Sequence, residues 1–269
     1  MNGTDELPEE LEKSPVIKAL RLLTHLAKSS EPVPLAELSR ALKLPKSTSH
    51  RLANMLERAG YVHKDLLTTN YSLGIAFQDF ALSGMRNGAG STNRRQLMDE
   101  LSTRLGVCTN FAVLKADKVL HIEWVESTAV LRVDLKPGTI VPVHCSASGK
   151  LLLAYGPDAL RESVLRTAPF EALTKSTITS AKAFERELAL IRRRGYSEDN
   201  EEFLPGVCCI SVPVRNREGV VVAGLAMMAP QASFPMVKAR QHLADFQKCA
   251  DAISAEFGWD PQSDPTRIV

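Results

Sequence analysis

The chain has 269 residues, of which 44% are hydrophobic and 24% charged, with a net charge of +2 at pH 7. This length suits two domains that each bury a core. No apolar run approaches the roughly 20 residues that a membrane helix needs. The acidic stretch from Met1 to Leu11 is unlike a signal peptide. Five cysteines, an odd number without a C-x-x-C pair, favour a reduced, cytoplasmic setting.

The charge is unevenly distributed along the chain. Residues 11–74 hold ten Lys and Arg against five Asp and Glu, a net charge of +5. The first ten residues carry −4, and the last 195 carry +1. A positive field confined to one segment indicates a polyanionic partner such as DNA, with salt-dependent binding.

Residues 14–60 predict three helices. Ser14-Pro15 begins the first helix, with Val16, Ala19, Leu20, Leu23 and Leu26-Ala27 on its apolar side. A short helix follows from Leu35 to Leu42. Pro45 precedes the third helix, which begins at Lys46 or Ser47, and Gly60 stands where its C-cap belongs.

The third of these helices has two unlike faces. Its packing stripe is predicted to be Thr48, Leu52, Met55, Leu56 and Ala59. Its opposite stripe consists of hydrogen-bonding residues: Ser47, His50, Arg51, Asn54 and Arg58. Two short amphipathic helices around a tight turn form a helix-turn-helix, whose second helix enters the major groove by its N-terminal part.

A hairpin is predicted after the third helix. The segments Tyr61–Asp65 and Thr69–Leu73 pair as a two-stranded wing. Three helices and a hairpin make a winged helix-turn-helix. The candidate DNA contacts are Lys46, Ser47, Thr48, Ser49, His50, Arg51, Asn54, Arg58 and Lys64. The alternatives are a merely solvated helix face and a winged module that contacts only protein, but the local charge favours double-stranded DNA.

The remaining sequence predicts an α+β domain with a mostly antiparallel sheet. The predicted domains are a DNA-binding domain at 12–74, a linker helix at 75–91 and an effector domain at 92–260, with flexible tails at 1–11 and 261–269. The expected strands are Val107–Lys115, Lys118–Glu126, Val130–Leu135, Cys209–Arg215 and Gly219–Met228. The expected helices are Ile75–Met85, Thr92–Leu105, one starting near Ser146, Ala183–Arg194 and one long helix, Pro235–Phe257.

Three motifs resemble the IclR (isocitrate lyase regulator) family of bacterial transcription regulators over nearly the whole chain. They are Leu44-Pro-Lys-Ser-Thr-Ser-His-Arg-Leu52, Gly138–Ala154 and Arg194–Val214. The resemblance implies an N-terminal winged helix-turn-helix and a C-terminal GAF-like domain that senses a small metabolite. It also implies operator binding as a homodimer or a dimer of dimers. The resemblance does not distinguish a repressor from an activator, or a dimer from a tetramer.

The resemblance also implies where an effector binds. Positions that line the pocket in relatives sensing small oxoacids fall here on Ala147, Ser148, Asp199, Cys209, Ala226 and Met228. Two serines of those relatives are replaced by Ala226 and Met228, so a compact oxoacid loses hydroxyl partners. Further expected effector contacts are Asn110, Trp124, Gly149 and Ser211.

These substitutions predict a more apolar effector, an aromatic or alkyl carboxylate. Its acid end is expected at Ser148 and Gly149, because the start of a helix favours an anion. Met228 is flexible and suits aromatic rings, and Trp124 is expected at the edge of the pocket. The alternative is a capped helix with nothing bound.

The sequence also raises two other kinds of site, a metal site and a thiol nucleophile. His144-Cys145 and Cys208-Cys209 suggest a zinc site, but adjacent cysteines on a strand face opposite sides. A thiol nucleophile at Cys145 lacks an oxyanion context. We therefore expect no metal, no cofactor and no enzyme activity. The alternative function is an enzyme of small-molecule metabolism with an accessory winged domain.

Overall fold

A computed structural model describes residues 14–29, 31–87, 91–127, 129 and 136–260. Contacts within the chain divide it into two compact units, Met1–Met85 and Arg86–Val269. The expected tails at 1–11 and 261–269 and the expected strand Val130–Leu135 lie outside the described residues. None of the described helices is both long and apolar enough to cross a membrane.

The described part of the first unit is helical with a small hairpin. Its elements, in chain order, are α1 (Pro15–Lys28), α2 (Leu35–Ala41), α3 (Lys46–Arg58), β1 (Val62–Lys64), β2 (Tyr71–Leu73) and α4 (Ile75–Asn87), the last of which continues past Met85. As predicted, Ser14 begins α1: its hydroxyl accepts a hydrogen bond from the Val16 N–H at 3.3 Å. The strands β1 and β2 are antiparallel, with Val62 opposite Leu73.

The core of the first unit differs from the predicted stripes in two helices. Its buried apolar residues are Leu22, Leu23, Leu26, Val33, Leu38, Leu52, Ala53, Val62 and Tyr71. The expected apolar side of α1 was wrong in part, because Val16, Leu20 and Ala27 are exposed and Leu22 is buried instead. In α3, Met55 and Ala59 are exposed, and the buried stripe runs through Leu52 and Ala53. The predicted helical spacing is correct, but the buried stripes of α1 and α3 are displaced by about one residue from the predicted ones.

The second unit is built around one antiparallel sheet. Its described elements, in chain order, are α5 (Ser91–Leu105), β3 (Cys108–Lys115), β4 (Lys118–Val125), β5 (Ile140–Pro142), α6 (Ala147–Tyr155), α7 (Asp158–Leu165), α8 (Ala181–Arg194), β6 (Ser197–Asn200), β7 (Val207–Arg215), β8 (Val221–Pro230), α9 (Met236–Gln241) and α10 (Leu243–Glu256). The strand order is β5-β4-β3-β8-β7-β6. The hairpins β3–β4 and β7–β8 are as predicted.

Helices pack on the sheet and enclose two apolar layers. On one side, Ala112 of β3 packs in a cluster with Leu151 of α6 and Phe184 of α8. The next residue, Phe111, points to the other side, where its ring stacks with Phe257 at a centroid distance of 6.4 Å. The buried Arg94 of α5 lies over the same Phe111 ring. The α+β prediction of a helix-turn-helix followed by an antiparallel-sheet domain is confirmed.

The predicted C-terminal helix Pro235–Phe257 is two helices, α9 and α10. The break lies at His242, whose φ of −99° and ψ of 10° depart from helical values. The His242 ring lies 5.9 Å from the Phe234 ring, and its Nδ1 lies 3.1 Å from Asp245 Oδ2 in the first turn of α10. The Phe234 ring and the Asp245 carboxylate thus hold His242 in its non-helical conformation. The apolar periodicity continues across His242, so the sequence pattern did not show the break.

Candidate DNA interface and candidate effector pocket

The polar face of α3 lies in solvent. Of the residues predicted to contact DNA, Lys46, Ser47, His50, Arg51 and Arg58 are exposed, and Thr48, Asn54 and Lys64 are half-buried. Helical spacing brings Ser47, His50, Arg51, Asn54 and Arg58 onto one side of α3, and Lys64 lies on β1. Such side chains can contact phosphates and the base edges of a major groove.

Ser49 departs from this arrangement. Its side chain is fully buried, and its hydroxyl has no hydrogen-bond partner among the described residues. Ser49 belongs to the inner stripe of α3 with Leu52 and Ala53. The expectation that Ser49 contacts DNA is therefore corrected: it packs inside the first unit.

The wing is held close to the end of α3. The Tyr61 N–H donates to Leu56 O at 2.9 Å, and the Gly74 N–H donates to Tyr61 O at 2.9 Å. A Cβ built on Gly74 would lie 2.2 Å from Gly60 O, so only glycine fits at this close approach. As a result, α3 and the wing share one groove, lined by His50, Asn54, Glu57, Arg58, Lys64, Asp65, Leu66 and Thr69.

The second unit holds a small buried cavity beside the start of α6. Its volume is about 10 Å³, room for roughly one water molecule. The cavity is lined by Asn110, His121, Val141, Ser146, Ala147, Ser148, Asp199, Phe203, Cys209, Ala226 and Met228. Seven residues predicted to contact an effector are thus brought together from β3, α6, β6, β7 and β8.

Three other predicted residues do not line this cavity. Ser211 lies behind it, with its hydroxyl 3.2 Å from the Ser148 hydroxyl. The Gly149 N–H is occupied, since it donates to the Ser146 hydroxyl that caps α6. The predicted anchoring of an acid at the Gly149 N–H is therefore corrected. Trp124 is buried in a cluster with Ala147, Cys209 and Met228, which do line the cavity.

Sequence reasoning missed four lining residues: His121, Val141, Ser146 and Phe203. His121 was concealed by a bulge in β4. Asn110 pairs with Trp124, but after a register shift Ala112 pairs with His121. Because Asn110 and Ala112 share a face, His121 and Trp124 also share it despite their spacing of three. No pattern in one strand reveals such a bulge.

Polar groups around the cavity are almost completely removed from water. Asp199 is 1% exposed and accepts hydrogen bonds from the Glu202 N–H at 2.7 Å and the Phe203 N–H at 3.2 Å. Burial raises the pKa of the Asp199 carboxyl to about 6, and the nearby Lys150 charge opposes that rise. Burial also lowers the pKa of His121 to about 4, so this ring is neutral at pH 7. The His121 Nδ1 lies 3.1 Å from Asn110 Oδ1.

A buried ion pair lies next to the start of α6. The Lys150 ammonium, fully buried, bonds to Glu202 Oε1, while Glu202 Oε2 has no partner among the described residues. Burial raises the pKa of the Glu202 carboxyl to about 7, against the lowering effect of the Lys150 charge. This pair joins α6 to the segment after β6.

The buried thiols are not poised for covalent chemistry. Burial raises the pKa of Cys145 to about 12, and that of Cys209 well above its ordinary value. His144 does not activate Cys145, since its Nε2 contacts Glu171 O at 3.0 Å and its ring stacks on Phe170. Among the residues that the structure describes, no group of three His, Cys, Asp or Glu is placed to hold a metal ion.

Comparison with known protein families gives two matches that together cover most of the chain. Residues 15–66 match the IclR helix-turn-helix domain. Residues 91–255 match the family described as bacterial transcriptional regulator IclR, C-terminal. The second match alone covers more than half of the chain and includes every residue that lines the cavity.

Individual relatives agree with both matches. The chain is 32% identical over 241 residues to the "Probable transcriptional regulator SauR" of Cupriavidus necator, covering 90% of this chain and 96% of SauR. It is 30% identical to the transcriptional regulator KdgR of Escherichia coli, covering 95% and 96% of the two chains.

Solved structures show the same fold. The crystal structure of Thermotoga maritima IclR superposes with a TM-score of 0.60 at 24% identity, covering 91% of this chain and 98% of that one. The C-terminal domain of E. coli KdgR superposes with a TM-score of 0.56 at 32% identity, covering 63% and 99%. The chain therefore belongs to the IclR family of bacterial transcription regulators, with a DNA-binding helix-turn-helix.

Proposed function

We propose that this regulator binds operator DNA as a homodimer through α3 and the wing, and that a small, mainly apolar carboxylate in the second unit changes that binding. The regulated genes then belong to a catabolic operon, and the protein works in the cytoplasm. The observation that carries the DNA assignment is the exposed row of Ser47, His50, Arg51 and Arg58 on one side of α3.

Substitution of Arg51 is the most direct test of DNA binding. It is exposed near the N-terminal half of α3, and its Nη1 lies 3.8 Å from the exposed Met55 Sδ, so it is not held in the core. Arg51→Ala should lower affinity for the protein's own promoter fragment by about 1–3 kcal/mol, roughly 5- to 150-fold. The control is Arg193→Ala, which removes an exposed arginine from α8.

The measurement is gel retardation over a range of salt concentrations. If Arg51 contacts a phosphate, the slope of log affinity against log salt becomes shallower by about one. Equal loss in the Arg51→Ala and Arg193→Ala proteins would indicate unspecific charge attraction. No retardation by the unmodified protein, together with turnover of a candidate acid, would support an enzyme instead.

Exposed apolar residues support the homodimer. In the first unit, Val16 and Leu20 of α1 and Ile75 and Phe80 of α4 are each more than half exposed. Side chains of this size in two helices are stabilised when a second copy covers them. A dimer presents two α3 helices, which read half-sites one DNA turn apart. Effector binding would change their separation and thereby the affinity for the operator.

The effector assignment rests on a buried donor without a partner. Trp124 is 4% exposed, and its indole N–H has no acceptor among the described residues. An unpaired buried donor costs about 1–3 kcal/mol. Trp124 packs against Ala147, Cys209 and Met228, which line the cavity. The cavity, which has room for about one water molecule, would have to widen toward Trp124 to admit a ligand. A carboxylate oxygen would then supply the missing acceptor, and the side chains of Ala226 and Met228 suit an apolar body.

Substitution of each of the two tryptophans of the chain tests the proposed effector site directly. A thermal-shift screen of aromatic and aliphatic acids identifies the effector. Trp124→Phe keeps an aromatic ring but removes the N–H, so affinity for that acid should fall by roughly tenfold. Trp259→Phe, at the other buried tryptophan, is the matched control. Strong binding of glyoxylate or pyruvate, with no response to benzoate-like acids, would contradict an apolar effector.

A change at Ser148 separates sensing from DNA binding. Ser148 lines the cavity and is 3% exposed, so a bulky side chain there fills the site. Ser148→Leu should leave promoter retardation intact and abolish its response to the effector. Loss of DNA binding in a protein that remains folded would show that the two functions are not separable in this way.

A further inference from the structure

The tip of the wing presents two adjacent leucines to solvent. Leu66 is 93% and Leu67 94% exposed, more than any other large apolar side chain in the described part of the chain. Leucines gain about 1.5–3 kcal/mol each when they leave water. A pair displayed in this way therefore favours a surface that covers it.

The turn that carries the pair is preformed. Asp65 Oδ1 accepts hydrogen bonds from the Leu67 N–H at 2.9 Å, the Thr68 N–H at 2.7 Å and the Thr68 hydroxyl at 2.9 Å. The bond from the Thr68 backbone is the largest of the effects that keep the pKa of Asp65 below its ordinary value. These three hydrogen bonds to one carboxylate oxygen hold the turn in its shape.

The position of the wing beside α3 determines what the leucines meet. Leu66 and Lys64 line the same groove as His50, Asn54 and Arg58 of α3. A helix about 10–12 Å across fills a major groove about 12 Å wide. An element alongside that helix must therefore cross the bordering phosphates and reach the adjacent minor groove.

We propose that Leu66 and Leu67 form an apolar wedge that enters this minor groove, partly unstacks one base step and bends the DNA. The proposal rests on the proposed function, in which α3 lies in the major groove. Apolar wedges inserted between base steps produce kinks of about 20–90°. Pyrimidine–purine steps open most easily, so the wedge also adds sequence preference where the protein makes no hydrogen bond. Neighbouring Arg58 and Lys64 match a polyanion better than an apolar protein surface.

The test uses the intact protein and a duplex that it recovers from a random-sequence pool. The variant is Leu66→Ser/Leu67→Ser, and the control is Val220→Ser, which changes an exposed apolar residue in a turn of the second unit. Energy transfer between the duplex ends reports bending, and 2-aminopurine fluorescence reports unstacking. The double variant should lose both signals and bind about tenfold more weakly.

Salt dependence separates the wedge from phosphate contacts. The double variant should keep the wild-type slope of log affinity against log salt, because leucine carries no charge. Lys64→Ala should keep the bend but make the slope shallower by about one.

Wild-type bending and affinity in the double variant would overturn the wedge. It would also be overturned if the variant loses function only when RNA polymerase is added, because the leucines would then contact protein. If no duplex is recovered, the proposed function itself fails and the wedge with it.

Discussion

The two compact units keep their candidate functional polar groups in opposite environments. In the first unit, Arg51 and Arg58 extend from α3 into solvent and contribute little to the core. In the second unit, Asp199 lines a cavity with room for about one water molecule, and the ion pair of Lys150 and Glu202 is also buried. Changes on the exposed face should therefore alter binding without altering stability, whereas changes in the pocket should alter both.

The largest expected effect is at Lys150. Lys150→Met leaves the buried Glu202 carboxylate without its counter-charge and should destabilise the second unit by about 3–5 kcal/mol at pH 8. The measurement is denaturant unfolding, followed separately for each unit. The loss should be smaller at pH 6, because the pKa of Glu202 is about 7 with Lys150 present and rises further without the Lys150 charge, so the carboxyl of the variant is then neutral.

The control for Lys150 is the double variant Lys150→Met/Glu202→Leu. Removing both charges together should recover most of the lost stability, because no buried ion remains unpaired. Equal destabilisation in the single and double variants would show that packing around Lys150, rather than its charge, holds the site together.

The next effect is a pH dependence at Asp199. Burial raises the pKa of this carboxyl from 3.8 to about 6, so the folded protein holds the proton more tightly than the unfolded chain. The stabilisation that this bound proton contributes is fully present below about pH 4 and is lost as the pH rises through 6. Asp199→Asn removes this dependence, so its stability relative to wild type should rise over that interval by up to about 3 kcal/mol.

Thermal unfolding from pH 4 to pH 8 measures the Asp199 effect. Asp117→Asn, in the exposed turn between β3 and β4, is the control and should show no such rise. A constant difference between the Asp199→Asn protein and wild type at every pH would refute the assignment of a proton to Asp199. If an anionic effector binds beside Asp199, its affinity should also increase as pH falls toward 6.

The smallest effect separates two serines of α3. Ser49→Ala removes a buried hydroxyl without a partner and should be neutral or stabilising by about 1 kcal/mol, with DNA affinity unchanged. Ser47→Ala should leave stability unchanged and weaken promoter binding several-fold. The reverse pattern would mean that the outward face of α3 is wrongly assigned.

In the first unit, the helices, the hairpin and most outward residues of α3 were predictable from the sequence, although the buried stripes of α1 and α3 were displaced by about one residue. The exposed positions of His50, Arg51 and Arg58 follow from spacing alone. Ser49, next to His50 in the helix, was wrongly assigned to the outward face. Hairpins were predictable too, since turns such as Asn216–Gly219 are local.

The pocket was only partly predictable, because its members meet through long-range packing. The family resemblance named Ala147, Asp199 and Met228, which the structure brings together. The bulge that turns His121 inward is invisible to strand alternation. Nor does any pattern show that Lys150 is buried, since its partner Glu202 is 52 residues away.

The pairing of β3 with β8 has a consequence for synthesis on the ribosome. Asn110 of β3 lies opposite Ala226 of β8, so the cavity is completed only after nearly the whole chain has emerged. Domains fold in order during translation, and distant strand pairing is slow. The helix-turn-helix unit is therefore complete before the second unit can finish its sheet. A polypeptide interrupted before Val221 would carry the DNA-binding helix-turn-helix without a completed cavity in the second unit.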